Sequence, residues 1–140
     1  MKKNTTKHYP IKVLFSWGLA IGGDKKIRDW LLKSQYKELG VFVYALNLKD
    51  DARAWLLKNH PELMALINAV EENKHALLWL KNHGYEAMYY LALASLEKPE
   101  GIQWLNKHEM KELLFVAQQI DVIKHNIEVN NSDPFKISKE

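Results

Sequence analysis

The chain has 140 residues, 47% hydrophobic and 26% charged, enough for one domain with a core of its own. It contains no cysteine, which excludes disulfides, thiol nucleophiles and cysteine-ligated zinc or iron–sulfur sites. The net charge of +3 is unevenly spread: residues 1–26 carry six lysines against the single acid Asp24, whereas the remainder has 14 basic and 16 acidic side chains.

The chain opens with "MKKNTTKHYPIKVLFSWGLAIGG". Lysines ahead of an apolar run outline a secretory leader, but Pro10 and Lys12 interrupt it and the unbroken stretch 13–23 is modest. The segment is therefore expected to remain in the protein, and the protein to be cytoplasmic. No run approaches the ~20 apolar residues that a membrane-spanning helix needs. Within this segment Leu14, Trp17 and Ile21 recur at helical spacing. A capping helix over 13–22 is expected to cover the exposed end of the next helices.

From residue 27 onward the chain repeats itself. Trp30, Trp55, Trp79 and Trp104 are spaced by 25, 24 and 25 residues, and each is followed by leucine. A second column comes seven or eight residues later, at Glu38, Glu62, Glu86 and Glu112. Counting from each glutamate, apolar residues recur at offsets 1, 4, 5 and 8, which lie along one stripe of a helix. Each unit therefore reads as a short helix bearing Trp-Leu and a second helix bearing the stripe. Pro61 suits the first turn of a second helix, and Gly84 the left-handed residue that ends a first one. Asp50-Asp51 and "EKPEG" supply turn and capping chemistry between units. Helices this short are marginal alone, so stacking on neighbours must hold them.

The fold expected is all-α: a short α-solenoid of about four two-helix repeats over 27–51, 52–75, 76–100 and 101–124, within one domain spanning 1–126. Residues 127–140 are turn-rich and read as a C-terminal tail. A paired-helix repeat of this length resembles the helical part of ankyrin-type repeats without their hairpin or their sequence pattern. The resemblance implies stacked helix pairs and carries no functional residue.

Chemistry-bearing candidates are few. "HEMKE" (108–112) lacks the second histidine of the zinc-protease pattern H-E-x-x-H, and both His108 and Glu112 belong to repeat columns. A column of His60, His83 and His108, with Gln35 in the first unit, is expected to bond backbone left open at helix ends rather than a metal. The tryptophans could stack bases if lysines interleaved them, but their helical phase and the acidic body favour core. On that reading Trp55→Ala removes a core anchor, at a cost of about 3–5 kcal/mol. Phosphate loops and nucleophile elbows are absent, and no catalytic residue, metal or cofactor is expected.

The function expected is binding of another protein or peptide by a helical-repeat surface, with nucleic-acid binding through the lysine-rich N-terminus as the alternative. The second-helix row near Tyr44, Met64, Met88 and Tyr89 is expected to form the exposed apolar strip. Arg28 and Arg53, each two residues before a tryptophan, either grip a partner's carboxylates or pair with acids such as Asp29 and Asp51.

Overall fold

The computed structural model describes residues 9–132; Lys2, Lys3, Lys7 and the last part of the expected tail, 133–140, lie outside them. Among the described residues the chain forms helices and no strand. They are α1 (Ile11–Ile21), α2 (Lys25–Lys33), α3 (Lys37–Leu46), α4 (Asp50–Asn59), α5 (Pro61–Val70), α6 (Lys74–Asn82), α7 (Glu86–Ser95), α8 (Pro99–Lys107) and α9 (Lys111–Ser132).

The helices make two layers. The stripe-bearing helices α3, α5, α7 and α9, with α1, form the inner layer, each packing on the next. The Trp-Leu helices α2, α4, α6 and α8 form the outer layer, each seated between the two inner helices that flank it in sequence. This is the expected solenoid of two-helix repeats, with an addition that no single repeat announces. The inner row closes: α1 packs on α9 more extensively than on either α2 or α3. An open array has two frayed ends, whereas here the first inner helix shields both the first unit and the last.

Closure depends on how near α1 and α9 can come. A Cβ built at Gly18 would stand 2.5 Å from the Phe115 ring, and one at Gly22 would stand 2.5 Å from Gln119. Both pairs keep the same four-residue step, so the two helices run parallel and in register. The core beneath is continuous. Leu14, Trp17 and Ile21 are buried, and so is every stripe residue at offsets 1, 4, 5 and 8 except Tyr90. Trp17 meets Phe42 edge-on, with ring centroids 5.0 Å apart.

Local chemistry sets the helix boundaries. Asp24 and Asn73 cap α2 and α6 by accepting from the amides of Ile27 (3.0 Å) and Ala76 (3.1 Å). Pro61 and Pro99 open α5 and α8 in the first turn, where a missing N–H costs nothing. After α1, α3, α5 and α7 the chain turns through a left-handed residue, in order Gly23, Leu48, Glu72 and Glu97. The following amide then bonds back to an unsatisfied carbonyl, as Lys49 N–H does to Tyr44 O at 3.1 Å.

The expected tail boundary at 127 falls inside α9, which continues to Ser132. The reason is a buried seam. Ile123 and Ile127, four residues apart, are partly buried, and Ile127 borders a hollow with Leu46, Leu48 and Val70 at the ends of α3 and α5. Lys124 adds a 3.3 Å contact to Glu72 beyond α5. The second half of α9 thus lies across one end of the inner ring. No helix of the described residues is long and apolar enough to cross a membrane.

Candidate interaction surfaces

The tryptophan column does not form the core. Trp30 is 51% exposed, and Trp55, Trp79 and Trp104 are only partly buried, packing at the core's edge. The leucine after each tryptophan takes the inward place: Leu31, Leu56, Leu80 and Leu105 are all fully buried. Adjacent helical residues point about 100° apart, so Trp and Leu cannot both face inward. The inward partner of each leucine is the residue four before it, Ile27, Ala52, Ala76 or Gly101. That i, i+4 pair was the signal in the sequence for the true inner face.

The expected strip on the second-helix row is corrected for the same kind of reason. Met64 and Met88 are buried, 8% and 1% exposed, and offer a partner nothing. Their column, two residues after the glutamate, faces the preceding outer helix. A Cβ at the equivalent Gly40 would lie 2.8 Å from the Leu32 side chain. Tyr44 and Tyr89 stay partly exposed. Tyr44 lies under the Arg28 guanidinium at 4.8 Å, beside a shallow groove that Val41 and Trp55 also line.

Both arginines are engaged within the chain. Arg28 contacts Asp29 at 3.2 Å, one of the two pairings expected of it. Arg53 turns away from Asp51 and forks onto Glu71 at 2.6 and 3.2 Å, while its Nε–H donates to Ala45 O at 2.8 Å. It thereby adds a side-chain bond to a carbonyl that already accepts from the Leu48 amide, and ties the end of α3 to the residue that follows α5.

Displaced outward, the aromatic residues stack. Trp104 stacks on His108, at 4.0 Å, and on Tyr90, at 4.5 Å with the rings nearly parallel. Tyr89 meets Tyr90 edge-on at 4.9 Å, with the Lys81 ammonium 5.5 Å above the Tyr89 ring. Trp79 stacks on His83 at 4.2 Å and on Tyr85 at 5.7 Å. Lys81, Gly84, Glu86, Tyr89 and Tyr90 line a hollow of about 200 Å³ beside these stacks. A further lysine, Lys37, sits 5.4 Å over Trp55. The helices α6, α7 and α8 thus carry two groups of stacked rings on an aromatic face, with Lys81 over Tyr89.

The histidine column behaves as expected at two of its three positions. Nδ1 of His83 and of His108 lies 2.9 Å from the carbonyl oxygens of Trp79 and Trp104, joining the imidazole to the helix end it follows. His60 instead faces carboxylates: Nδ1 is 3.3 Å from Glu62 and Nε2 is 4.0 Å from Glu38. The Tyr9 hydroxyl donates to Glu38 at 2.5 Å. Burial, this bond and the charges of Glu38 and Glu62 all push the Tyr9 phenol well above its ordinary range. The cluster ties the lead-in of α1 to the starts of α3 and α5.

At the opposite end of the ring, Glu97, Asp121 and His125 each bring one ligand-type atom within 4.8 Å of the others, the sole such trio of described residues. It includes neither His108 nor Glu112 of "HEMKE". Asp121 already holds His125 at 3.2 Å and raises its pKa, through the backbone bond first and the carboxylate charge second. Lys124 lines the same hollow and joins Glu72 to Glu128. The arrangement is an ion-pair network that pins α9 over the ends of its neighbours.

Comparison of the chain with protein-family models, with characterised proteins and with solved structures gives no significant match.

Proposed function

We propose that this protein is a non-enzymatic binding module that recognises a segment of another protein on the aromatic face of α6, α7 and α8. The observation that carries this reading is the pair of partly exposed ring groups, Trp79 with Tyr85 and Trp104 with Tyr90 and Tyr89, with Lys81 over the Tyr89 ring. Tryptophan and tyrosine dominate binding energy at protein interfaces because they bury much surface with few rotors to freeze. Their rings here are already stacked, so little ordering remains to be done on binding. The hollow beside Tyr89 and Tyr90 suits one apolar side chain, and Lys81 suits a neighbouring carboxylate. The matching partner is a short segment that pairs an apolar anchor with an acid.

Base stacking on the same rings is the competing reading, favoured by the lysines over Trp55 and Tyr89. Salt separates the two. The test captures partners with the native chain and with Trp104→Ala, then titrates the purified candidate against both. Loss of binding in the variant, with affinity little changed between 50 and 200 mM salt, supports a protein partner. Tight binding of a single-stranded oligonucleotide, falling steeply over that range, replaces it with the nucleic-acid reading.

A further inference from the structure

We infer that Glu97, Asp121 and His125 form a site for one divalent transition-metal ion of the zinc type, which joins the turn after α7 to the middle of α9. The site shares no residue with the aromatic face, so it stands or falls separately from the binding proposed there.

The repeat itself brings the acids together. Glu72, Glu97 and Asp121 follow one another at 25 and 24 residues, the period of the tryptophan column. Stacking of the units therefore sets them side by side at one end of the inner row. Glu72 and Glu97 occupy the left-handed turns that end α5 and α7. In α9 no such turn intervenes, and the helix continues to Ser132. Its next turn adds His125, four residues beyond Asp121 and on the same face. The imidazole is thus present only because α9 runs on past the point where α5 and α7 stop.

Distances fit an ion. Asp121 Oδ1 stands 3.2 Å from His125 Nδ1. Glu97 completes a trio of ligand-type atoms that lie within 4.8 Å of one another. Two atoms that share a tetrahedral ion at about 2.0–2.1 Å are roughly 3.3 Å apart. The pair on α9 already has that separation. Glu97 is exposed on its turn and needs to swing inward by only about 1.5 Å. The Asp121 carbonyl, 3.1 Å from the same imidazole nitrogen, holds the ring over the carboxylate until the ion arrives. Binding then releases the Nδ1 proton to solvent, and the ring keeps its other proton on Nε2.

The surroundings favour a cation. The three residues border a hollow of about 230 Å³, room for an ion and the waters that complete its shell. Around that hollow the carboxylates of Glu72, Glu97, Asp121 and Glu128 face the ammoniums of Lys98 and Lys124. The surplus of two carboxylates is what one divalent ion cancels. Lys124 is drawn to Glu72 and Glu128, at 3.3 Å each, and so leaves Glu97 and Asp121 to another cation. The donor set selects which one. One imidazole with two carboxylates suits zinc and its first-row neighbours, whereas magnesium and calcium prefer oxygen alone. Three protein ligands leave a fourth position to water.

The probe is zinc chloride alone, titrated by calorimetry into the full chain after dialysis against a chelator. One ion per chain is expected, with a Kd of roughly 1–10 µM, weaker than a closed four-ligand site. His125→Ala should weaken binding by about thirtyfold, and Asp121→Asn and Glu97→Gln by about tenfold each. All three side chains are exposed or half-buried, so each variant should keep the native circular-dichroism spectrum. His108→Ala should bind zinc as the native chain does. Because the ion bridges α9 to a neighbouring turn, zinc at about a hundred times Kd should raise Tm by roughly 5–10 °C. Four results would each overturn the inference: native affinity in His125→Ala or Glu97→Gln; loss of binding in His108→Ala; magnesium bound as tightly as zinc, which marks an acidic patch; or several ions held more weakly than about 0.1 mM, an adventitious ion only.

Discussion

Trp30 and Leu31 are adjacent in α2, and truncating each separates the inward column from the outward one. Leu31 is fully buried, so Leu31→Ala loses the transfer energy of its removed carbons, about 0.8 kcal/mol per methylene, and leaves a cavity as well. The combined cost is about 3–4 kcal/mol. Trp30 is the larger side chain but is 51% exposed. Half an indole's surface at ~25 cal/mol/Å² gives at most ~3 kcal/mol, and a compact unfolded chain already buries part of it. Trp30→Ala should therefore cost about 1–2 kcal/mol. For a chain with ~7–21 kcal/mol of total stability both losses are measurable, and the leucine change should lower Tm by roughly 10–15 °C. Urea unfolding followed by circular dichroism gives the two values, provided m stays constant. Trp55→Ala should fall between them, because that ring is partly buried against the core. If the tryptophan change at 30 costs as much as the leucine change at 31, the outward placement of the column is wrong.

Gly101 lies where α8 crosses α7, and a Cβ there would come within 2.7 Å of Tyr90 O and closer still to the Ala94 amide nitrogen. Backbone cannot yield as a side chain can, so Gly101→Ala should destabilise by about 1–3 kcal/mol despite alanine's better helix propensity, as calorimetry would show. Glu109 holds the left-handed turn (φ 56°) between α8 and α9 that Gly84 holds one repeat earlier. Glu109→Gly should thus raise stability by about 0.5–1 kcal/mol in the same urea assay, and a loss would refute the strain argument. His125 should titrate above its ordinary 6.5 in an NMR pH series. A raised histidine pKa means its contribution to folding is complete below 6.5 and fades as pH climbs through the higher folded value. Asp121→Asn should return the midpoint only part of the way, since the backbone bond survives; no change at all would remove Asp121 as a cause.

The repeat, the helix pairs and most of the inner stripe were legible in the sequence because they are local. A 24–25-residue period, offsets of 1, 4, 5 and 8, and a proline or glycine at a boundary all act within a turn or two of helix. Even the true inward face of the outer helices was present, in the small residue four before each leucine, though the tryptophans drew attention from it. What periodicity could not fix is where α1 goes once the repeats have stacked. Each unit adds a small rotation, and only their sum brings Gly18 against Phe115, nearly a hundred residues away along the chain. The same sum brings Phe15 beside Phe115 and so closes the inner row. Those outcomes belong to the tertiary structure, because a rotation too small to mark any one repeat becomes a closed ring only when all of them are added.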